Sequence, residues 1–334
     1  MLSILRNRVT KTNKIVDGLL GVAVGDALGV PYEFKSRKEM KKNPIKTMVG
    51  FGTHYQAKGT WSDDSSLTFC LAESLIETYS LKDIALKFIW WRDKSYWTAR
   101  NKVFDIGRTT NTAISRLKMI LETKNFELLE NQKDYAVEID NGNGSLMRIL
   151  PLVFYIKGKN IQEQFKIIWE VSALTHRHIR AAMSCLIYLK LIEFLLDGMN
   201  KVKAYKKMQT EVLLFWDIIN FPEKERKHFK NIINNHILLM KEANLKTGGY
   251  VIEVLESAIW FFMKENNYKN TVLSIINLGH DTDTSAAIAG GLAGIYYTSK
   301  NIPKTWLNEL AKKEDIIDLG NRLNESLQFS IVSK

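Results

Sequence analysis

NLGHDTDTSAAIAGGLAGIYY, residues 277–297, sets two carboxylates, Asp281 and Asp283, one residue apart at the mouth of a stretch made almost wholly of small and apolar residues. Small residues from Ser285 to Gly294 predict a helix that packs closely and aims its first turn inward. GVAVGDALGVPYEF, residues 21–34, has the same character. Gly21, Gly25 and Gly29 recur every four residues and leave one helix face bare, so another backbone can approach it. Asp26 lies inside that helix, and Glu33 follows its end after Pro31.

Outward from these two stretches the texture is helical. Apolar residues at i, i+3, i+4 and i+7 predict helices near 15–30, 63–79, 82–92, 145–157, 161–175, 179–197, 201–219, 227–242, 250–265, 284–298 and 304–311. No strand–helix–strand alternation supports a parallel sheet. With only 5 prolines and no Ser/Gly-rich linker, no domain boundary is visible between residues 15 and 330. The expectation is one all-α domain over 15–330, preceded by a basic extension over 1–14.

The 334 residues include 46% hydrophobic and 25% charged, a soluble globular composition. Cys70 and Cys185 sit in apolar runs and read as core residues, which suits a reducing compartment. The N-terminus lacks a signal-peptide core, and no run of about 18 uncharged apolar residues marks a membrane span. A cytoplasmic protein with no membrane partner is expected. A net charge of +11 favours anionic partners. The lysine clusters, however, are interrupted by acids and helix-spaced apolar residues, as solvated helix faces are, and no aromatic platform for nucleic acid accompanies them.

Glycine-containing joints hold the candidate chemistry. In GTWSDDSS, Ser62 is a good N-cap, and Asp63 and Asp64 fall in the first helical turn. Acids there complement the helix dipole without any further function. GHDTDTS repeats the arrangement, and two acid-rich helix starts facing each other can instead hold hard divalent cations through oxygen ligands. Zinc is disfavoured, since no Cys pair or His-x-x-x-His is present. Glu33, alone in a loop, is either a solvated acid or a carboxylate left free for proton transfer. NGNGSLMRILPL, from Asn141, offers a glycine-rich backbone and Ser145 as the N-cap of a helix, a phosphate cradle in principle. His176 and His178 either bond a ligand or cap a helix junction. Tyr250, after two glycines, either stacks on a base or joins the core.

Taken in order, GVAVGDALGVPYEF, GTWSDDSSLTFCLAESL, DIGRTTNTAI, NGNGSLMRILPL, LTHRH, GGYVIEVLESAIW and GHDTDTSAAIAGGLAGIYY resemble the ADP-ribosylglycohydrolase family, from about residue 15 to about residue 300. The resemblance implies a single compact orthogonal helical domain holding two Mg²⁺ ions, or Mn²⁺. The implied ligands are Ser62, Asp63, Asp64, Asp281, Asp283 and Thr284. Glu33 and Asp105 are implied in catalysis. Asn143, Gly144, Ser145, Met147, His176 and Tyr250 are implied at the substrate. His280 stands where relatives commonly carry glycine, and its ring is expected to narrow the pocket or to touch substrate. Arg108 replaces an asparagine found in some relatives, and serines in WSDDSS replace threonines. The implied activity is removal of ADP-ribose from a modified protein side chain, arginine first, with protection against an ADP-ribosylating toxin as an implied role. The alternative is a protein that binds ADP-ribose or the toxin and acts by occlusion, without turnover.

Overall fold

A computed structural model describes residues 13–233 and 236–332. The longer helices are α1 Lys14–Gly29, α2 Asp63–Glu77, α3 Leu81–Lys94, α4 Arg108–Glu122, α5 Ile161–Ala173, α6 Ile179–Leu196, α7 Lys201–Ile218, α8 Val251–Lys264, α9 Tyr268–Ile276, α10 Thr282–Tyr297 and α11 Lys313–Val332. Among the described residues β-structure is confined to two isolated bridges, Phe51 with Gln56 and Gly142 with Tyr250. The chain is a single all-α domain.

At its centre α1 and α10 meet backbone to backbone. A Cβ at Gly25 would lie 2.1 Å from the Ala286 carbonyl oxygen, and one at Gly21 would lie 2.4 Å from that of Gly290. At the site end, a Cβ on Gly29 would meet the Asp283 Cα at 2.4 Å. No side chain larger than hydrogen fits at these positions, which is the physical reason for the glycine period. Polar groups pin the pair. Tyr268 Oη donates to the Gly21 carbonyl at 2.7 Å, and Thr282 Oγ1 to that of Gly29 at 2.8 Å.

Asn13 begins α1, its side chain accepting from the Ile15 backbone N–H at 3.0 Å. Most of the expected basic extension, residues 1–12, lies outside the described residues. The stretch Lys14–Tyr32 is long and apolar enough to cross a membrane, yet 89% of it is buried inside the fold, as a core helix is. Cys70 and Cys185 are buried free thiols.

Three differences from the sequence expectation are local. The helix expected at 145–157 shrinks to Leu152–Ile156, and residues before it run through turns. Pro151 disfavours helix in the residue it follows and supplies no N–H. Ser145 is therefore not a helix N-cap. The segment 227–242 is broken into short pieces, among them Lys230–Ile233 and a 3₁₀ turn at Lys227–Phe229. Helices α4, α9 and α11 arise where no helix was expected. In α4 the buried Thr110, Ala113, Ile114, Leu117 and Ile120 form one apolar stripe at helical spacing, a signal present in the sequence.

Candidate active site

Four chain segments converge where α1 ends. Asp26, in the last turns of α1, accepts from the Ser62 N–H at 2.9 Å, the Ser65 N–H at 3.0 Å and Ser65 Oγ at 2.6 Å. One buried carboxylate thereby satisfies the orphan donors at the start of α2 and clamps that helix end against α1. Ser62 is the N-cap of α2, and its hydroxyl donates to Asp64 Oδ2 at 2.9 Å. The other acid-rich helix start, that of α10, is brought alongside by the glycine contact described above. The oxygens of Asp26, Asp64 and Asp283 lie within 4.8 Å of one another, as do those of Glu33, Asp281 and Asp283.

Packing so many acids together shifts their proton affinity. Burial raises Asp63, Asp64 and Asp283 well above the usual carboxylate range, and neighbouring carboxylates add to the effect. Burial likewise raises Asp281 and Asp105, and pushes Asp26 up to about 6. Asp64 Oδ1 is buried with no hydrogen-bond partner. An orphaned carboxylate oxygen facing other acids, in an all-oxygen set, fits hard divalent cations. The clustered acids make a candidate metal centre.

Glu33 follows the 3₁₀ turn Val30–Tyr32 and is 7% exposed. Burial pushes its carboxyl up to about 7. A hydrogen bond to His54 opposes the shift, while Asp105 and Asp281 add to it. His54 Nε2 bonds Glu33 Oε2, and the imidazole sits between the rings of Phe34, at 6.0 Å, and Phe104, at 5.4 Å. That hydrogen bond and the negative charge of Glu33 raise the His54 pKa.

A cavity of about 380 Å³ joins these groups to the glycine-rich turn, and Glu33, Asp63, Asp105, Asp281, Asp283 and Thr284 line it together with Asn143, Gly144, Met147 and His176. Asn143 ties the turn to the acids, its Nδ2 donating to Asp281 Oδ2 at 2.6 Å. His176 is buried beneath the turn, where a Cβ on Gly144 would lie 2.5 Å from its Cε1. Burial, with Arg148 adding to it, lowers its pKa to about 3, so the ring is neutral.

Not every expected residue reaches the cavity. Ser62 and Asp64 lie beneath its wall, as buried first-turn groups do. Ser145 is fully buried, and its hydroxyl accepts from Ser172 Oγ at 2.9 Å, so its side chain serves the core. His178 is the helix cap of the histidine pair, accepting from the Arg180 N–H at 3.1 Å. Tyr250 stands half-buried at the start of α8, its hydroxyl 3.2 Å from His228 Nδ1 and its backbone bridged to Gly142. His280 does not narrow the pocket. Its side chain is exposed, and its backbone, at φ +63°, ties down the Glu33 loop: its N–H donates to the Lys35 carbonyl and its carbonyl accepts from the Phe34 N–H, each at 2.7 Å. A left-handed φ is the reason glycine suits this position. Sequence reading also left Asp26 and His54 outside the site. Asp26 carried a signal, an acid inside an otherwise apolar, glycine-rich helix. His54 carried none, because a loop contact 21 residues away from Glu33 has no period.

Fold and site together define an all-helical scaffold with an acid-lined pocket at two abutting helix starts. The chain belongs to the ADP-ribosylglycohydrolase family, whose sequence pattern it matches over residues 7–330. It is 31% identical over 314 residues to an ADP-ribosylarginine hydrolase, Tri1, of Serratia proteamaculans, covering 93% of this chain and 79% of that one. It is 24% identical to the ADP-ribosyl-[dinitrogen reductase] glycohydrolase of Rhodospirillum rubrum, covering 90% and 91%. A solved ADP-ribosylglycohydrolase-related protein complex superposes with a TM-score of 0.76 at 25% identity, covering 94% of this chain and 98% of that one.

Proposed function

We propose that this protein hydrolyses the N-glycosidic bond between ADP-ribose and a modified arginine side chain, with two Mg²⁺, or Mn²⁺, held by Ser62, Asp63, Asp64, Asp281, Asp283 and Thr284. One observation carries the reading. A carboxyl raised to about 7, Glu33, shares a cavity with clustered acids and an Asn–Gly turn. The bound cations would supply electrostatic stabilisation of charge developing on the ribose hydroxyls and would orient the sugar. Unpaired Asp64 Oδ1 supports the ligand set.

The chain's own residues divide the remaining work. The Asn143–Gly144 turn receives the diphosphate and distal ribose, with Met147 and neutral His176 closing the cavity beneath and Tyr250 at its rim. Glu33, ionised, takes the proton from the water that attacks the anomeric carbon, and the guanidine leaves as that C–N bond breaks. The His54 hydrogen bond holds the Glu33 carboxylate in place for that transfer. Asp105, whose oxygen lies within 4.8 Å of the nearest ligand atoms of Glu33 and His54, offers negative charge to a cationic guanidinium, which favours arginine over serine as acceptor. The relative named for ADP-ribosylarginine supports the same choice. Protection against an ADP-ribosylating toxin, the role implied by the resemblance, is compatible with this chemistry.

Purified protein incubated with arginine-linked and serine-linked ADP-ribose conjugates, with and without a chelator, tests the proposal. Free ADP-ribose is expected from the arginine conjugate and is lost on chelation. Release from neither conjugate would sink it.

A further inference from the structure

Three large aromatic side chains beside Glu33 face solvent: Phe34 is 69% exposed, Phe51 64% and Tyr55 82%. All three have left-handed backbones, with φ of +65°, +65° and +54°. Their segments are joined. Thr53 Oγ1 donates to the Glu33 carbonyl at 2.7 Å, and a Cβ on Gly52 would lie 2.1 Å from the Pro31 carbonyl oxygen. Loop 51–56 therefore rests directly on the loop that carries Glu33.

Phe51 and Tyr55 combine two unfavourable features. A bulky residue at positive φ is a backbone outlier, and an exposed ring leaves apolar surface in water. Glycine or asparagine would relieve the first and a polar residue the second. Neither ring is needed to build the loop, whose bridge and hydrogen bonds are made by backbone groups and the side chains of Thr53, His54 and Gln56. Such outliers beside a reacting group point to a use for the side chains themselves.

The geometry points to a docking lip for the polypeptide that carries the ADP-ribosylated side chain, an inference that rests on the proposed hydrolysis. Continuity fixes the occupant. Phe34 lines the cavity beside Glu33, where the bond to the acceptor is cut, so the acceptor's backbone must leave the cavity across this surface. Charge adds to it. Lys35 follows Phe34, and Arg100 is tied to the end of the loop, its Nη2 donating to the Lys58 carbonyl at 3.0 Å, while the Lys58 ammonium itself pairs with Glu309 at 3.5 Å. The lip takes apolar and acidic residues flanking the modified side chain.

The double variant F51G/Y55N tests this, because both replacements suit left-handed backbone and neither residue lies in the cavity. It is compared with wild type on an arginine-ADP-ribosylated protein and on free ADP-ribosyl-arginine. The expected result is a roughly tenfold loss of kcat/KM on the protein substrate with the free conjugate within about twofold of wild type, as when interface aromatics are truncated. An unchanged ratio between the two substrates overturns the lip. So does light scattering that shows wild-type self-association abolished in the variant, which would give the surface to a second copy of the chain. Wild-type turnover of the free conjugate reports on the hydrolysis alone. Should that fail, the lip is read from titration of the ADP-ribosylated protein into both forms, where equal affinities overturn it.

Discussion

Glu33 and His54 act as a unit because one hydrogen bond joins them inside a half-closed pocket. Glu33→Gln keeps the shape and removes the base, so kcat on an arginine conjugate should fall by about 10²- to 10⁴-fold while ADP-ribose still binds, measured by turnover and titration. Retained protection of a target by that variant would point to occlusion instead. The pH dependence has a definite sign. Glu33 works ionised, so kcat/KM should fall as pH drops through its pKa, which cations bound beside it hold below the metal-free value of about 7. The His54 bond favours the ionised form, and its loss in His54→Ala should move the limb to higher pH. A pH–rate profile that leaves the limb in place would deny His54 this role. Of the pair, only Glu33 was within reach of the sequence, and then only through the resemblance: by spacing it is a lone loop acid. His54 is brought to it by the tertiary contact of two loops, which leaves no pattern along the chain.

The contact of α1 with α10 decides how the site is assembled. Gly25→Ala would drive a Cβ to 2.1 Å from the Ala286 carbonyl oxygen, a backbone atom that cannot turn aside. The two helices must separate, and the start of α10 moves with them. A destabilisation of about 1–3 kcal/mol or more is expected in urea denaturation, with activity lost beyond what stability explains. Gly249→Ala is the contrast. Nothing lies within 4 Å of its added Cβ and its φ is not positive, so stability should stay within about 0.5 kcal/mol. This element was legible because a four-residue glycine period states a close approach outright. Helix α4 was legible too, since its buried residues recur at helical spacing. The 145–157 segment misled because its apolar residues have helical spacing but Pro151 and the buried Arg148, bonded to the Gly144 and Val171 carbonyls, hold it in turns.

A chain with net charge +11 keeps its chemistry in an acidic hole, so whole-molecule charge is a poor guide to the site. What governs stability is the local excess of buried carboxylates. Asp26 is raised from 3.8 to about 6 and Glu33 from 4.5 to about 7, each chiefly by burial. An acid whose folded pKa lies above its unfolded one supports folding below the unfolded pKa, near 4, and that support is lost as pH rises through the folded value. The metal-free protein therefore carries uncompensated repulsion at neutral pH. Cation ligation requires the ionised carboxylates, so it relieves the repulsion there and competes with protons under acid conditions. Thermal melting with Mg²⁺ at about 100 times its dissociation constant should show stabilisation of about 2.7 kcal/mol for each bound cation at pH 7.5. The gain should shrink when the same Mg²⁺ concentration is used at pH 5.5, between the unfolded and folded values. Asp283→Asn, which removes one charge where the two acid groups overlap, should abolish most of the gain while raising the melting temperature of the metal-free form at pH 7.5. An equal Mg²⁺ gain at both pH values, or an Asp283→Asn protein that gains as much as wild type, would mean that the clustered acids are not where the cations bind.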